Sequence, residues 1–286
     1  MNNHNSIKVA IQGIPGSNHD IAAQGFFRGD KVIPVPCLSF TEVFQSIKFE
    51  TSTYGIIAIE NTLVGSLLNN YTLLKNYGYK VFGEYKLRIK HQLMALPGQG
   101  IEDIYKVYSH PMALAQCQAY FKNYPHIQLI ESEDTAYSAR WIKEQQKQNV
   151  AAIAPALAAE LYELEIIERD IETNKSNYTR FLAIGNQEHV ANVVDVSKVN
   201  KSSLVCSLPH KEGSLLSILN IFKDNEINLT KIQSLPLVGK EWEYLFYIDV
   251  MFNSSVQYNQ ALDAISPLCN SIKELGVYEV SNLLHK

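Results

Sequence analysis

The segment EYKLRIKHQLMAL, residues 84–96, alternates apolar and polar side chains over most of its length. Tyr85, Leu87 and Ile89 fall on one face, and the basic residues between them fall on the other. Because successive side chains of a strand point to opposite faces of a sheet, this pattern predicts a half-exposed strand. We expect the strand to carry the chain from one lobe of an α/β fold into a second lobe.

On both sides of this strand, short apolar runs alternate with segments of helical periodicity. The runs are IKVAIQG (7–13), YGIIAIE (54–60), KVYSH (106–110) and NVAAIA (149–154). Most are followed by a cluster of Gly, Ser, Asn or Pro and then by apolar residues at helical spacing. This alternation predicts βαβ units and a mainly parallel sheet over residues 7–185.

A different order of elements occupies the C-terminal part of the chain. Residues 186–201 lose the alternation and carry polar and charged side chains, which predicts a linker. A strand, a helix spanning Leu215 to Phe222, two strands around a turn at Gly239, a second helix and a last strand follow. This order, βαββαβ within about eighty residues, predicts a ferredoxin-like unit.

Composition and charge exclude several classes of function. Apolar residues make up 46% of the chain and the net charge is −4 without a basic stripe, so we expect a globular protein that does not bind nucleic acid. No apolar run approaches the ~20 residues that span a bilayer, and the polar N-terminus does not resemble a signal peptide. The four cysteines lie far apart without C-x-x-C spacing, which favours reduced thiols in a cytoplasmic protein.

Polar side chains follow several predicted strands, at the edge where α/β sheets collect ligands. They are Ser17, Glu60, Asn61, Thr62, Ser109, His110, Thr135, Asn177, Thr179 and Arg180. Most of them, taken singly, suit a helix cap or a turn better than a ligand site. Together, their hydroxyl, amide and cationic groups predict a site for a small molecule with several negative charges. Metal binding is not expected, because no His, Cys and Asp residues have ligand spacing.

Two segments resemble signatures of the prephenate dehydratase family. SNYTRF (176–181) resembles the T-R-F signature of these enzymes. AIENTLVGS (58–66) resembles their segment P-x-E-N-S-x-x-G-S, with Ala58 and Thr62 as departures.

The resemblance extends along the whole chain. IQGIPGSNHDIAA (11–23) is similar to the family's opening motif, although Ser17-Asn18-His19 replaces the usual Thr-Phe-Ser. Further similar segments are SHPMALAQC (109–117), DTAYSA (134–139) and AAIAPALAAELYEL (151–164). Residues 202–284 resemble the ACT regulatory module that is appended to these enzymes.

The resemblance implies a fold and domain boundaries. Residues 1–187 would form a catalytic domain similar to type 2 periplasmic binding proteins. Its first lobe would take about 1–85 and 179–187, and its second lobe about 86–178, with the substrate in the cleft between them. Residues 188–201 would be a linker, and residues 202–286 would form the ACT domain.

The resemblance also implies an activity, the decarboxylating dehydration of prephenate to phenylpyruvate in L-phenylalanine biosynthesis, without a cofactor. Thr179 would hydrogen-bond the departing hydroxyl or orient the leaving carboxylate. Ser17, Asn61, Thr62, Ser109, Thr135 and Asn177 would bind the substrate. Arg180 would pair either with the substrate or with Glu60, and Glu60 or His110 would relay a proton. Two alternatives stay open: an arogenate dehydratase, with the same chemistry on the aminated substrate, or a non-catalytic amino-acid-binding regulator.

For the ACT module, the resemblance implies feedback by L-phenylalanine and assembly into a homodimer or homotetramer. The effector residues would be Gly213, Ser214, Leu215, Asn228, Gln233 and Ser234. The segment QSLP (233–236) stands where related modules have ESRP. Gln233 and Leu235 therefore remove one negative and one positive charge from the expected effector loop.

Overall fold

The structure is a computed structural model, and it describes residues 6–237, 239, 243–281, 284 and 285. Within these residues the strands are β1 (Ser6–Gln12), β2 (Lys31–Cys37), β3 (Tyr54–Asn61), β4 (Gly65–Ser66), β5 (Lys80–Arg88), β6 (Gln92–Ala95), β7 (Lys106–Ser109), β8 (Gln128–Glu131), β9 (Val150–Ala154), β10 (Glu165–Glu168), β11 (Tyr178–Gly185), β12 (Lys201–Ser207), β13 (Asn228–Pro236), β14 (Tyr244–Met251), β15 (Ser271–Tyr278) and β16 (Leu284–His285). The helices are α1 (Asn18–Phe26), α2 (Phe40–Lys48), α3 (Leu68–Tyr77), α4 (Pro111–Phe121), α5 (Thr135–Glu144), α6 (Ala156–Leu161), α7 (Gln187–Ala191), α8 (Ser214–Asp224) and α9 (Ser255–Ile265), with short 3-10 helices at Ile101–Asp103 and Ser266–Leu268. No helix in this part of the chain combines the length and the apolar character needed to cross a membrane.

Internal packing divides the chain into two compact units. The first contains the chain up to Ser66, Tyr85–Phe181 and the C-terminal strand β16. The second contains Leu67–Glu84 and the chain from Leu182 through β15. Residues 67–84 thus pack with the C-terminal module, and the domain boundaries that the resemblance implies stay predictions.

The first sheet has the strand order β16-β5-β11-β3-β1-β2, and β4 pairs with the end of β3. Strand β1 runs parallel to β2 and β3, as the alternation of strands and helices predicts. Val9, Ala10 and Ile11 of β1 are fully buried, because helices α1 and α2 pack against this sheet. Ser17 and Ser39 cap the two helices through their side-chain oxygens.

The second sheet has the order β10-β6-β9-β7-β8 and is mixed rather than parallel. Strand β7 is parallel to β8 and β9, whereas β6 is antiparallel to β9 and β10. Alternate residues of its strands enter two separate cores. Leu114 and Phe121 of α4 fill one core, and Ala139 and Ile142 of α5 fill the other.

The segment 84–96 connects the first sheet to the second sheet, as predicted, but it is not one strand. It forms the end of β5 and the whole of β6, with a break at His91. The backbone N–H of His91 donates to Oε2 of the buried Glu172 at 3.0 Å instead of to a strand partner. The predicted apolar face is buried throughout, while Lys86, Arg88 and Lys90 are partly exposed.

The C-terminal module has the predicted βαββαβ order. Strands β13-β14-β12-β15 form an antiparallel sheet. Ile218 and Phe222 of α8 and Ala261 and Ile265 of α9 pack on one face of it. The predicted linker contains the short helix α7 and ends where β12 begins at Lys201. Gly239 has φ +85°, as the predicted turn requires, but most of that turn lies outside the described residues.

The segment 67–84 packs on the other strands of the second unit through several close contacts. The rings of Tyr71 and Tyr247 lie 4.9 Å apart. A Cβ atom added at Gly276 would lie 1.8 Å from the carbonyl oxygen of Val81, so the backbones of β15 and β5 approach each other closely.

Candidate active site

A cavity of about 340 Å³ lies where β3, β4, β5 and β11 meet in the first unit. Its volume falls in the range that small-molecule sites occupy. The lining residues are Glu60, Asn61, Thr62, Gly65, Ser66, Lys86, Tyr178, Thr179 and Arg180. Predicted site residues from two motifs far apart in sequence therefore share one crevice.

The side chain of Asn61, the last residue of β3, hydrogen-bonds several residues in and around this cavity. Its Oδ1 accepts hydrogen bonds from the backbone N–H groups of Leu63 and Val64 at 2.9 and 3.1 Å. These two donors determine the orientation of the amide, because only the oxygen can accept from them. The Nδ2 group must then donate, and its partners are Asn177 Oδ1 at 2.8 Å and Thr179 Oγ1 at 2.9 Å.

The orientation of Asn61 has a consequence for Thr179. Since Nδ2 of Asn61 donates to Oγ1 of Thr179, the threonine hydroxyl acts as an acceptor in this contact. Its own proton remains available for another acceptor. Thr179 is 8% exposed and lines the cavity, so a bound molecule can receive that hydrogen bond.

The hydrogen bonds continue from Asn177 into the second lobe. Nδ2 of Asn177 donates to Oε1 of Gln116 at 2.9 Å, and Nε2 of His91 lies 2.8 Å from the same oxygen. Because a carbonyl oxygen only accepts, His91 carries its proton on Nε2. Burial lowers the pKa of His91, which favours this neutral form.

Glu60 and Arg180 form an ion pair beside Thr179. The distance from Arg180 Nε to Glu60 Oε1 is 2.5 Å. The arginine side chain is 6% exposed, whereas the glutamate side chain is 34% exposed and faces the cavity. Of the two roles predicted for Arg180, the pair with Glu60 is therefore present in the structure.

Thr62 holds the strand that carries Thr179. Its hydroxyl donates to the carbonyl oxygen of Ser176 at 2.9 Å and accepts from the N–H of Tyr178 at 3.0 Å. Its backbone N–H donates to the carbonyl oxygen of Tyr178 at 2.9 Å. Three hydrogen bonds thus set the position of residues 176–178 relative to β3.

The turn after β1 contacts helices of the second lobe. Gly16 has φ +90°, and a Cβ atom there would lie 3.0 Å from Cα of Ala158. The hydroxyl of Tyr162 donates to the carbonyl oxygen of Pro15 at 2.7 Å. Glycine is needed at position 16 both for the left-handed backbone and for this close approach.

The family model described as prephenate dehydratase matches residues 9–189. The chain belongs to the prephenate dehydratase family. Arogenate dehydratase/prephenate dehydratase 2, chloroplastic, of Arabidopsis thaliana is 32% identical over 99% of this chain and 76% of that protein. The bifunctional chorismate mutase/prephenate dehydratase of Escherichia coli strain K12 is 28% identical over 99% of this chain and 73% of that protein.

Two solved structures share the fold of this chain. GqqA, described as a novel type of quorum quenching acylase, is 27% identical, with a TM-score of 0.86 over 96% of this chain and 98% of that one. The prephenate dehydratase from Arthrobacter aurescens in complex with L-Phe has a TM-score of 0.83 at 23% identity, over 96% of this chain and 90% of that one, and shows the same fold. The family and fold class expected from the motifs are thus confirmed.

Other residues that the resemblance to prephenate dehydratases marked for substrate binding make structural contacts and do not line this cavity. Ser17 Oγ accepts from Asp20 N at 3.3 Å, and Ser109 Oγ donates to the carbonyl oxygen of Ile153 at 2.7 Å. His110 Nδ1 accepts from Met112 N at 3.2 Å and caps α4. Thr135 is the first residue of α5. Their roles toward substrate stay predictions.

Several residues that line this cavity, or are bonded to its lining, were not among the predicted site residues. Gly65, Ser66, Lys86 and Tyr178 line the cavity without having been singled out, and Gln116 and His91 join it through Asn177. A signal existed for most of them. Gly65 and Ser66 lie inside the motif at 58–66, Tyr178 inside the one at 176–181 and Gln116 inside the one at 109–117, and Lys86 lies on the polar face of β5. Among the described residues, no group of three His, Cys, Asp or Glu side chains is arranged to hold a metal ion.

Proposed function

We propose that the chain converts prephenate to phenylpyruvate, with loss of carbon dioxide and water, in L-phenylalanine biosynthesis. The observation that carries this proposal is the hydroxyl of Thr179, which lines the cavity and accepts a hydrogen bond from Asn61, so that its own proton remains available to another acceptor. A site built from neutral donors and a cation suits a substrate with two carboxylates and a ring hydroxyl.

Aromatisation of the ring drives this reaction. The bond between the ring and its carboxylate breaks, its electron pair enters the ring, and the carbon–oxygen bond of the ring hydroxyl breaks with the pair on oxygen. The departing hydroxide takes up a proton and leaves as water. The enzyme must orient the ring and stabilise the charge that develops on this oxygen.

Thr179 supplies that stabilisation as a hydrogen-bond donor. A threonine hydroxyl is too weak an acid to transfer its proton fully, so it acts like a donor of an oxyanion hole. Nδ2 of Asn61 donates to its oxygen, and the same Nδ2 also donates to Oδ1 of Asn177, which helps to fix the amide. Glu60 lines the cavity and stays a candidate for a proton relay, whereas His110 caps a helix outside it.

The test follows phenylpyruvate formation from prephenate by the purified protein. Thr179→Ala should lower kcat by about 10²–10³, the effect of removing one oxyanion-hole donor, or about 3–4 kcal/mol. Thr179→Ser keeps the hydroxyl and should retain much more activity. Thr41→Ala, at an exposed position in α2, is the control. A fully active Thr179→Ala variant would contradict the mechanism, and an inactive wild type would contradict the function.

Arogenate is the second candidate substrate. The relative from Arabidopsis thaliana carries both dehydratase activities in its name. Arogenate undergoes the same bond changes, so the catalytic hydroxyl alone does not distinguish the two substrates.

We further propose that L-phenylalanine is a feedback effector of the C-terminal module. A cavity of about 140 Å³ in that module is lined by Leu208, Pro209, His210, Lys211, Ser214, Leu215, Tyr244 and Phe246. The solved prephenate dehydratase from Arthrobacter aurescens contains L-Phe, which supports this effector. Ser214 and Leu215 were expected at such a site, while Gly213, Asn228, Gln233 and Ser234 stay predictions. A homodimer or homotetramer and a cytoplasmic location are likewise predictions.

A further inference from the structure

Thr62 is hydrogen-bonded to the chain segment that leads to Thr179. Its hydroxyl proton goes to the carbonyl oxygen of Ser176 at 2.9 Å, and its hydroxyl oxygen accepts from the backbone N–H of Tyr178 at 3.0 Å. Its own backbone N–H donates to the carbonyl oxygen of Tyr178 at 2.9 Å. Thr62 therefore bonds three consecutive peptide groups, and the last of them contains the nitrogen of Thr179.

These bonds use the only proton that the Thr62 hydroxyl can donate. The carboxylates of prephenate accept hydrogen bonds and donate none, so Thr62 could bind them through its hydroxyl only by giving up Ser176. Thr179 differs, because its oxygen accepts from Asn61 and its proton remains available. Two threonines that line the same cavity are thus in opposite states as donors.

The segment that Thr62 bonds carries both acceptors of the Asn61 amide. Nδ2 of Asn61 donates to Asn177 Oδ1 at 2.8 Å and to Thr179 Oγ1 at 2.9 Å. Thr62 follows Asn61 directly in the chain, so its bonds to residues 176–178 set the distance over which these contacts form. A misplacement of about 1 Å at a reacting group can lower a rate by about 10².

We propose that Thr62 is a positioning residue, which holds residues 176–179 against the end of β3 so that the Thr179 hydroxyl meets the transition state. In this role Thr62 acts through Thr179 and not through a hydrogen bond of its own to the substrate. The inference rests on the proposed dehydratase function. It replaces the substrate-binding role that the resemblance implies for Thr62.

The first experiment separates kcat from KM for prephenate. Thr62→Val keeps the shape of the side chain and removes both hydrogen bonds of the hydroxyl. It should lower kcat by about 10–100-fold and leave KM within about threefold, because an interaction that matters only in the transition state is lost. Thr62→Ser keeps the hydroxyl and should restore most of kcat. A Thr62→Val variant with a raised KM and an unchanged kcat would overturn the proposal, since it would indicate direct binding of the substrate.

A second experiment asks whether Thr62 acts through Thr179. In the Thr179→Ala background the hydroxyl that Thr62 positions is absent, so adding Thr62→Val should change the remaining kcat by less than about threefold. Equal losses from Thr62→Val in the two backgrounds would show that the residues act independently, and would overturn the proposal.

Thr51→Val is the matched control for a general loss of stability. The hydroxyl of Thr51 also donates to a backbone carbonyl oxygen, that of Ser46 at 3.1 Å, and Thr51 is likewise exposed but does not line the cavity. Its kcat should equal that of wild type. An equal loss of kcat in Thr51→Val and Thr62→Val would overturn the positioning role.

These outcomes leave the dehydratase function itself intact. A wild type that converts neither prephenate nor arogenate would instead remove the proposed function, and the role of Thr62 with it.

Discussion

At Asn61, two backbone N–H groups decide the direction of the hydrogen bonds that reach Thr179. They donate to the amide oxygen, so the nitrogen must donate to Thr179, and the proton of the Thr179 hydroxyl remains available to another acceptor. The family motif names both residues but not this direction. The backbone N–H groups of Leu63 and Val64 set this direction, and its effect reaches Thr179, 118 positions away in the sequence.

His19 is a residue whose protonation should affect stability. Its ring lies against Phe40 and Phe181, with centroid distances of 5.5 and 5.0 Å. Burial lowers the pKa of His19 from 6.5 to about 3, and its shielded Nε2 has no hydrogen-bond partner among the described residues.

We predict that His19 makes the protein less stable as the pH falls from 6.5 toward 3. Over this range the unfolded chain binds a proton at His19 and the folded chain does not, so the free energy of unfolding decreases by up to about 1.4 kcal/mol per pH unit. Urea unfolding at several pH values should show a shallower dependence for His19→Phe. His126→Phe, at an exposed position, serves as the control. Identical slopes for wild type and His19→Phe would show that His19 does not contribute.

At the scale of single elements, the charged side chains of strand β5 lie in two different environments. Glu84 forms an ion pair with Lys201 of β12, with 2.7 Å between Oε2 and Nζ, and both side chains are almost completely buried. Two residues later, Lys86 lines the cavity of the candidate active site. The alternation of apolar and polar residues identified the strand but not the partners of its polar face, because periodicity only reports that a side chain is polar.

We predict that breaking the pair of Glu84 and Lys201 is costly. Lys201→Met leaves a carboxylate without its cation in a buried site and should lower the free energy of unfolding by about 3–5 kcal/mol. The double variant Lys201→Met with Glu84→Leu should recover much of this loss, since no buried charge remains.

Urea unfolding of the single and double variants checks this prediction. Lys143→Met, which removes the exposed pair with Glu163, should leave the stability nearly unchanged. If Lys201→Met and Lys143→Met have equal effects, the buried pair has no special role in stability.

For the whole molecule, the compact units do not follow the order of domains along the chain. Helix α3 and the start of β5 come between residues of the catalytic domain in sequence, yet they pack with the C-terminal module. The sequence motifs predicted two domains in succession. The packing of residues 67–84 with the C-terminal module was not predictable from the sequence. It depends on contacts between residues far apart, such as Tyr71 with Tyr247.

Feedback by phenylalanine is a property of the whole molecule, and the C-terminal cavity provides its test. Phenylalanine should slow phenylpyruvate formation, and Leu215→Ala should raise the concentration needed by about tenfold, because Leu215 supplies apolar contact to the effector ring. Leu216→Ala is the matched control, since Leu216 is 59% exposed on the same helix and does not line the cavity. If saturating phenylalanine changes neither the rate nor the assembly state, the feedback proposal is wrong.

The sequence by itself determined the order of strands and helices, the βαββαβ module and the two motifs that contain Asn61, Thr62 and Thr179. Such features are encoded in runs of a few residues, where periodicity and turn residues act locally. Only the tertiary structure decided which strand ends meet, that Lys86 faces the cavity, and that Ser17 and Ser109 use their hydroxyls within the fold. These outcomes depend on packing between distant segments, and no local pattern records which groups a polar side chain will find as partners.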